Sequence, residues 1–200
     1  MTPEQNKLNM GCGYTKLDGY WNVDKNYNCN PDEVVNFMEP FPWEDNTFES
    51  IVAENVLTQI GTSLYATLSE MWRVSQDGAD WTISVPHHRC DLFWEDPINV
   101  CIITPKTISL FDQKNNHESW KNGNKESAYG FNNNIDIEVV DVNFQFINYW
   151  RKQMDEGLLG ATQLEIELNT RYNVAESTTI NCKIHKPGRY EQWIKNNIRK

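Results

Sequence analysis

The stretch Leu8-Asn9-Met10-Gly11-Cys12-Gly13 decides the fold, because it joins a short apolar strand to a turn with two glycines. A second short strand, residues 20–24, follows it and ends in an acid. Glycines at such a turn let the backbone approach a ligand without a Cβ in the way. The dinucleotide fingerprint needs a third glycine three residues after Gly13, and Lys16 stands there instead. The turn therefore does not match a pyrophosphate site, and a plain glycine turn between strands is the structural alternative.

Strand-like and helix-like segments alternate along the rest of the chain, in the order expected of a parallel sheet with covering helices. Residues 47–53 are largely apolar, as expected for a strand that is buried on both faces. Two late strand-like runs without a short crossover indicate an antiparallel hairpin at the sheet edge. The predicted strands are residues 7–10, 20–24, 33–37, 47–53, 81–85, 135–146 and 178–185, and the predicted helices are residues 64–75, a short one from Pro105 and residues 158–171.

Side chains at three successive strand ends suit an adenosyl group. Asp24 can accept hydrogen bonds from both hydroxyls of a ribose. The side-chain oxygen of Asn36 can accept from an adenine amino group, and Phe37 can line the ring. A glycine turn, an acid and an amide without a phosphate loop together fit S-adenosylmethionine.

Composition and charge limit the possible partners. The 200 residues fit one domain, residues 1–200, and the hydrophobic content of 39% can build a core. A formal net charge of −10 argues against a nucleic-acid partner, because nucleic-acid-binding proteins contact phosphates with clustered Lys and Arg. No apolar run reaches the roughly 18 residues of a membrane span, and the polar start is not a signal peptide. Five cysteines without a Cys-x-x-Cys pair favour reduced thiols in a cytoplasmic protein, and nothing predicts the oligomeric state.

In order along residues 7 to about 112, the chain resembles a subgroup of small class I S-adenosylmethionine-dependent methyltransferases. Besides residues 8–13, the matching motifs are Gly19-Tyr20-Trp21-Asn22-Val23-Asp24, Phe41-Pro42-Trp43-Glu44-Asp45-Asn46-Thr47-Phe48-Glu49, Val56-Leu57-Thr58-Gln59-Ile60, Arg73-Val74-Ser75-Gln76-Asp77-Gly78-Ala79, Val85-Pro86-His87-His88 and Asp96-Pro97-Ile98-Asn99. The resemblance implies a single Rossmann-like α/β domain. Its mostly parallel seven-stranded sheet would have the order 3-2-1-4-5-7-6, an antiparallel strand 7 and helices on both faces.

The resemblance also implies a cofactor site across the carboxyl ends of strands 1, 2 and 4. Its glycines would flank the methionine part, Asp24 the ribose, Asn36 and Phe37 the adenine, and Glu54 the amino-acid end. The residues that it assigns to cofactor binding are Asn9, Met10, Gly11, Cys12, Gly13, Asp24, Lys25, Asn36, Phe37, Glu54 and Asn55.

Several positions depart from the subgroup. Only 11 positions separate Gly13 from Asp24, which is enough for a turn but too few for a full first helix. The Glu-His pair of the subgroup reads Thr58-Gln59 here, and its Asp-Pro-Thr-His motif ends in Asn99. Asn36 replaces the usual Asp. These differences bear on the substrate chemistry more than on cofactor binding.

The loop after the fifth strand carries the candidate catalytic residues. His87 and His88 follow that strand directly, and a neutral imidazole can remove a proton near neutral pH. Asp96, in the same loop, can orient a histidine or act as the base. Packing or capping of the loop is the structural alternative for either histidine. With Cys90 and Asp91 nearby these histidines superficially resemble metal ligands, but no second ligand pair accompanies them, and we predict no metal site.

Together these features predict an S-adenosylmethionine-dependent methyltransferase that releases S-adenosylhomocysteine. Residues 87–134 would form a loop or insert on the substrate side, where aromatic residues could stack on a flat acceptor. The sequence signatures of DNA amino-methylating and cytosine-methylating enzymes are missing, which favours an O or N atom of a small-molecule or glycan-like acceptor. A protein of the same fold that binds the cofactor without catalysis is the alternative, and Lys16 disfavours a nicotinamide-dependent oxidoreductase.

Overall fold

A computed structural model describes residues 3–124 and 126–197 as seven β-strands, eight α-helices and three short 3-10 helices. The predicted domain, residues 1–200, also includes Met1, Thr2, Lys125 and residues 198–200, which lie outside the described residues. The strands are β1 (Lys7–Met10), β2 (Trp21–Asp24), β3 (Glu33–Val34), β4 (Phe48–Glu54), β5 (Ser75–Pro86), β6 (Ile137–Phe146) and β7 (Ala175–Ile184). The α-helices are α1 (Leu64–Val74), α2 (Asp91–Glu95), α3 (Pro105–Ser109), α4 (Gln113–Lys121), α5 (Tyr129–Asn133), α6 (Asn148–Asp155), α7 (Ala161–Thr170) and α8 (Glu191–Asn197).

All seven strands form one sheet in the order β3-β2-β1-β4-β5-β7-β6, with helices around it. Strands β1 to β5 pair in parallel, whereas β7 is antiparallel to both of its neighbours, β5 and β6. The predicted fold class and strand order are confirmed. The carboxyl ends of β1, β2 and β4 therefore meet at one edge of the sheet, where open α/β sheets bind ligands.

The strand register divides the sheet into an apolar and a polar face. Trp81 of β5, paired with Ile51 and Cys182, lies in the buried core, to which α1 also contributes. On the opposite face, side-chain hydrogen bonds link β5, β7 and β6: Thr82 to Asn181 (3.2 Å), Ser84 to Thr179 (3.3 Å) and Asn181 to Asp141 (3.3 Å). The expectation that residues 47–53 are buried on both faces is wrong, because burial alternates along β4 and leaves Glu49 exposed.

The connection from β1 to β2 is a turn. Residues 11–20, all of which the structure describes, form turns and irregular chain instead of a helix. The connection from β2 to β3 contains only the 3-10 helix Tyr27–Cys29. The prediction that residues 11–20 are too few for a full first helix is therefore confirmed. A consequence is that no helix dipole from this segment points at the edge of the sheet.

The segment between β5 and β6 consists of short helices and loops. The predicted short helix at Pro105 is present as α3, and Thr104 and Thr107 cap it reciprocally. The backbone N–H groups of Val100 and Cys101 donate to the carbonyl of Thr58 (2.8 and 3.0 Å), which joins the segment to the 3-10 helix Leu57–Gln59 after β4. Several apolar side chains of this segment are exposed, namely Leu92, Trp94, Ile98, Val100 and Ile102.

A largely buried ion pair joins the segment after β7 to residues 112 and 136. Arg189 donates through Nε and Nη2 to the two carboxylate oxygens of Asp136 (both 2.9 Å), and Nη2 also donates to Asp112 (2.7 Å). Asp136 is fully buried, and it accepts further from the backbone N–H of Gln113 (3.0 Å). These contacts hold the start of α4 and the start of β6 to the segment after β7.

A membrane-spanning helix is not found among residues 3–124 and 126–197.

Candidate functional site

A cavity of about 280 Å³ lies at the carboxyl ends of β1, β2 and β4. Every residue that lines it comes from the segment between Gly11 and Ile60. Eight of the residues that the sequence singles out for cofactor binding lie together here: Gly11, Gly13, Asp24, Lys25, Asn36, Phe37, Glu54 and Asn55. The structure thus brings most of the predicted site together at the predicted edge of the sheet.

The glycine turn forms one wall of the cavity. The backbone N–H groups of Gly11 and Cys12 both donate to the carbonyl of Val23 (2.8 and 3.0 Å), which bends the chain away from β1. Gly11 and Gly13 have φ angles of +69° and +49°, a region that side chains with a Cβ rarely adopt. A Cβ on Gly11 would lie 2.6 Å from Cγ2 of Val56, whereas a Cβ on Gly13 would meet no atom within 4 Å. The backbone of the turn therefore favours glycine at both positions. Only at Gly13 is the space where a Cβ would project empty.

The carboxylate of Asp24, at the end of β2, binds the glycine turn that follows β1. Its Oδ2 accepts from the backbone N–H of Gly13 and its Oδ1 from that of Asn26, both at 2.8 Å. A carboxylate offers about four acceptor positions, so each oxygen keeps one position for a ligand hydroxyl. The two backbone hydrogen bonds fix the orientation of the carboxylate before any ligand arrives.

The residues after β3 form the opposite side of the cavity. The side-chain oxygen of Asn36 accepts from the backbone N–H of Met38 (3.2 Å), and its amide donates to Glu39 (3.0 Å). Phe37 is buried and contacts Phe41 edge to face, with ring centroids 5.7 Å apart. Asn36 therefore shapes its own turn, and its oxygen keeps one of its two lone pairs for a ligand.

The end of β4 supplies the remaining wall. Asn55 has a φ of +54°, a conformation that Asn tolerates better than most residues, and its N–H donates to the carbonyl of Ser84 (2.8 Å). The Gln59 amide donates to the carbonyl of Asn55 (2.7 Å). Glu54 is exposed and brings a second carboxylate to the cavity beside Asp24. Two acids and Lys25 thus face one small space, as a ligand with both cationic and anionic groups would require.

Three residues of the predicted cofactor set lie outside the described lining of the cavity. Met10 is fully buried in the core. The amide of Asn9 donates to Asn22 (2.9 Å) and to the carbonyl of Thr15 (3.1 Å), which ties the turn to β2. The thiol of Cys12 is buried, burial raises its pKa, and the ammonium group of Lys16 lies 3.2 Å from its sulfur. Asn9 and Met10 belong to β1 itself, one on each face of the sheet, whereas the cavity lies beyond the carboxyl end of that strand.

Four further residues complete the lining: Met38, Val56, Gln59 and Ile60. Three of them belong to the Val56–Ile60 motif, so the sequence carried a signal for them. Met38 had no such signal beyond its position next to Phe37.

A larger, open groove of about 620 Å³ runs along α1 and shares Phe37 and Met38 with the cavity. The charged side chains Glu70 and Arg73 in this groove are paired with each other at 2.8 Å. The smaller cavity is the better candidate site because its acids remain available to a ligand.

The two histidines lie at the end of β5, and neither belongs to the described lining of the cavity. His87 is buried, and its Nδ1 accepts from the backbone N–H of Arg89 (3.2 Å). Burial, with help from His88 and Arg89, lowers the pKa of His87 to about 4. The ring of His88 is half-buried 4.6 Å from that of His87, and burial lowers its pKa too. Of the two, His88 is better placed to accept a proton, because the lone pair of His87 already serves the backbone.

We expect His87 to make the folded protein less stable in acid. Its pKa of about 4 in the folded protein lies below the unfolded value near 6.5, so the unfolded chain binds more protons between these pH values. Stability should therefore be complete above about pH 6.5 and fall by up to about 3 kcal/mol as the pH approaches 4. Urea denaturation of wild type and His87→Gln across this range measures the difference. His88 and His117 are present in both proteins, so their contributions to the pH dependence cancel in the comparison. Equal pH dependence of the free energy of unfolding in the two proteins would contradict this expectation.

Asp96 is exposed and caps its own turn, since its Oδ1 accepts from the backbone N–H of Ile98 (3.1 Å). Two of the positions that depart from the subgroup are bonded to each other: the hydroxyl of Thr58 donates to the side-chain oxygen of Asn99 (2.6 Å). Among the described residues, His87, His88, Cys90 and Asp91 do not bring three ligand atoms within 4.8 Å of one another. The catalytic roles of His87, His88 and Asp96 stay predictions.

Solved structures share this fold at low sequence identity. No known protein-family profile matches the chain, and no curated protein matches it. A structure titled as an S-adenosylmethionine-dependent methyltransferase from Archaeoglobus fulgidus has a TM-score of 0.55 and 14% identity, over 91% of this chain and 87% of that one. The YcgJ protein from Bacillus subtilis has a TM-score of 0.51 and 11% identity, over 92% and 93% of the two chains. The [4+2]-cyclase SpnF has a TM-score of 0.50 and 12% identity, over 92% and 77%. The chain therefore has the Rossmann-like fold that S-adenosylmethionine-dependent methyltransferases adopt.

Proposed function

We propose that this chain binds S-adenosylmethionine in the cavity between Gly11 and Ile60 and transfers its methyl group to an acceptor. The observation that carries the proposal is the convergence of the glycine turn, Asp24, Phe37 and Glu54 at the carboxyl ends of β1, β2 and β4. Fold alone does not decide the reaction, since a [4+2]-cyclase shares it. The chemistry of the lining residues is what supports the proposal.

The lining fits the parts of this cofactor. The free acceptor positions of Asp24 suit the two ribose hydroxyls, and buried Phe37 offers an apolar wall for the adenine. Glu54 supplies negative charge for the ammonium group at the amino-acid end. Gly13 leaves open space where a Cβ would otherwise project, so the backbone can approach the ligand.

When bound, S-adenosylmethionine supplies an electrophilic methyl group on a sulfonium. The task of the chain is to hold the acceptor in line with that group and to take a proton from it where needed. The segment after β5 is fastened at Thr58, next to the cavity residue Gln59, so it lies at the border of the site. His88 is the candidate base in that segment, and Asp96 the candidate for a supporting carboxylate.

The acceptor that we propose is a hydroxyl or amine of a small-molecule or glycan-like compound. Trp94 exposes 59% of its surface in the segment after β5, and an exposed indole can stack on a flat ring or on the apolar face of a sugar. The net charge of −10 argues against a nucleic-acid substrate.

Binding without catalysis is the second candidate function, and one contact favours it. Thr58 and Asn99 stand where the resemblance leads one to expect Glu and His, and they satisfy each other at 2.6 Å. This bond between two neutral side chains holds the segment after β5 to residue 58. It supplies neither a general base nor a charge for catalysis.

Calorimetry and a product screen separate the two functions. Titration with S-adenosylmethionine should show one site, and incubation with panels of phenols, amines and sugars should release S-adenosylhomocysteine. Binding without product on every panel favours the second function, whereas absence of binding contradicts both.

Replacing Asp24 with alanine should weaken S-adenosylmethionine binding by about 1.5–3 kcal/mol, or roughly 10- to 150-fold in Kd. The loss removes the ribose acceptors and also releases the N–H of Gly13. Asp24→Asn keeps one acceptor oxygen and should lose less. Asp18→Ala, which removes the same charge from an exposed position of the same turn, is the matched control and should leave the Kd unchanged. Equal affinity of Asp24→Ala and wild type, by calorimetry, would place the ribose elsewhere.

A further inference from the structure

Two cysteines and an aspartate converge behind the glycine turn. The sulfur atoms of Cys12 and Cys29 and a carboxylate oxygen of Asp24 all lie within 4.8 Å of one another. Cys12 belongs to the turn after β1, Asp24 ends β2, and Cys29 lies on the 3-10 helix that follows. Both cysteines are 5% exposed, so the three groups form a sheltered cluster.

We propose that this cluster binds a thiophilic divalent cation of the zinc class through Cys12, Cys29 and Asp24. Zinc bound tetrahedrally to two thiolates at about 2.3 Å holds the sulfurs about 3.8 Å apart. From separations of at most 4.8 Å, the two sulfurs need to approach by at most about 1 Å, and each sulfur and the oxygen by at most about 1.2 Å, to reach the spacing on tetrahedral zinc. Rotation of the three side chains covers such distances. Two sulfur ligands out of three select zinc over magnesium or calcium, which prefer oxygen.

The surroundings suit a cation. Asp24 is already oriented by the backbone N–H groups of Gly13 and Asn26, the kind of outer hydrogen bonding that holds a metal-binding carboxylate in place. With both thiols deprotonated the cluster carries three negative charges, which a divalent cation offsets. The ammonium group of Lys16, 3.2 Å from the sulfur of Cys12, belongs to an exposed side chain that can swing into water when the cation binds. Three protein ligands leave one position for water, as in open zinc sites.

Cobalt spectroscopy tests the proposal on the full chain, reduced with a phosphine under nitrogen. Co²⁺ should produce the near-ultraviolet charge-transfer band of cobalt–thiolate bonds at one equivalent, and Zn²⁺ should abolish the band by displacement. Cys29→Ser should weaken Co²⁺ binding at least about tenfold, since even outer-sphere partners are worth that much. Cys101→Ser, which removes a half-buried thiol from another segment, is the matched control and should bind as wild type does.

X-ray absorption at the zinc edge of the wild-type protein keeps the test independent of how the variants fold. The first shell should contain two sulfurs and lighter atoms. A shell of nitrogen and oxygen alone, or a Cys29→Ser protein with the cobalt band and affinity of wild type, would overturn the proposal.

A consequence, which rests on the proposed function, is competition between the cation and S-adenosylmethionine. Asp24 would hold the ribose in one state and the cation in the other, so Zn²⁺ at about ten times its own Kd should weaken cofactor binding about tenfold. Calorimetry with and without Zn²⁺ measures it. If the chain binds no cofactor in the absence of zinc, the proposed function fails, while the cobalt and X-ray results still decide the metal site.

Discussion

Replacing Gly11 with alanine should destabilise the protein by roughly 2–4 kcal/mol. Part of the loss comes from holding an L-residue at a φ of +69°. The rest comes from overlap, because the new Cβ would lie 2.6 and 2.9 Å from Cγ2 and Cβ of Val56. Val56 is β-branched and has little rotamer freedom with which to move away. Chemical denaturation of wild type and variant measures the difference in the free energy of unfolding.

Gly13→Ala is the matched control for this prediction. Its φ is also positive, but its Cβ would meet no atom within 4 Å, so it should lose only the backbone part, about 1–2 kcal/mol. Val56→Ala should destabilise the Gly11→Ala variant less than it destabilises the wild-type protein. A double-mutant cycle measures this difference as a coupling free energy. Equal losses for the two glycine variants, or no coupling to Val56, would show that the contact with Val56 does not limit the turn.

Replacing Arg189 with alanine should cost about 3–5 kcal/mol, because it leaves the carboxylate of Asp136 buried without its cation. Asp136 is fully buried, and Arg189 reaches both of its oxygens at 2.9 Å. Asp112, the second carboxylate that Arg189 contacts, is also buried, and burial raises its pKa. Urea denaturation at neutral pH measures the loss.

The exposed ion pair between Lys152 of α6 and Glu156 supplies the comparison. Lys152 contacts Glu156 at 3.6 Å with 72% of its side chain in solvent, so Lys152→Ala should cost no more than about 1 kcal/mol. Asp136→Asn added to Arg189→Ala should recover part of the loss, because it removes the unpaired charge. Similar costs for Arg189→Ala and Lys152→Ala would mean that the Asp136 pair stabilises no more than a surface contact does.

The cavity could be predicted where local signals coincide with strand ends. Gly11 follows β1, and Asp24 and Glu54 are the last residues of β2 and β4. Parallel strands present their carboxyl ends at one edge, so the distance along the chain did not matter. The resemblance also assigns Asn9 and Met10 to the site. They lie outside its lining because both belong to β1 itself, and the cavity lies beyond the carboxyl end of that strand.

Contacts between distant residues could not be predicted from one sequence. Asp136 and Arg189 are 53 residues apart, Thr58 and Asn99 are 41 apart, and no periodic pattern links either pair. The third strand ends at Val34 rather than residue 37, because Asn36 bonds to the backbone of Met38 and turns the chain. Polar residues on β5 and β7 became interpretable only when the register placed Thr82 opposite Asn181.

The cavity is built from one continuous piece of chain, Gly11 to Ile60, and this affects how the protein can be made. During synthesis, every residue that lines the cavity emerges from the ribosome before Arg189 does. The segment after β5, in contrast, is held in place by the contact of Arg189 with Asp112, 77 residues away along the chain. Because short-range contacts close sooner than long-range ones, we expect the cavity to form before the segment that we propose to hold the acceptor is fixed in place.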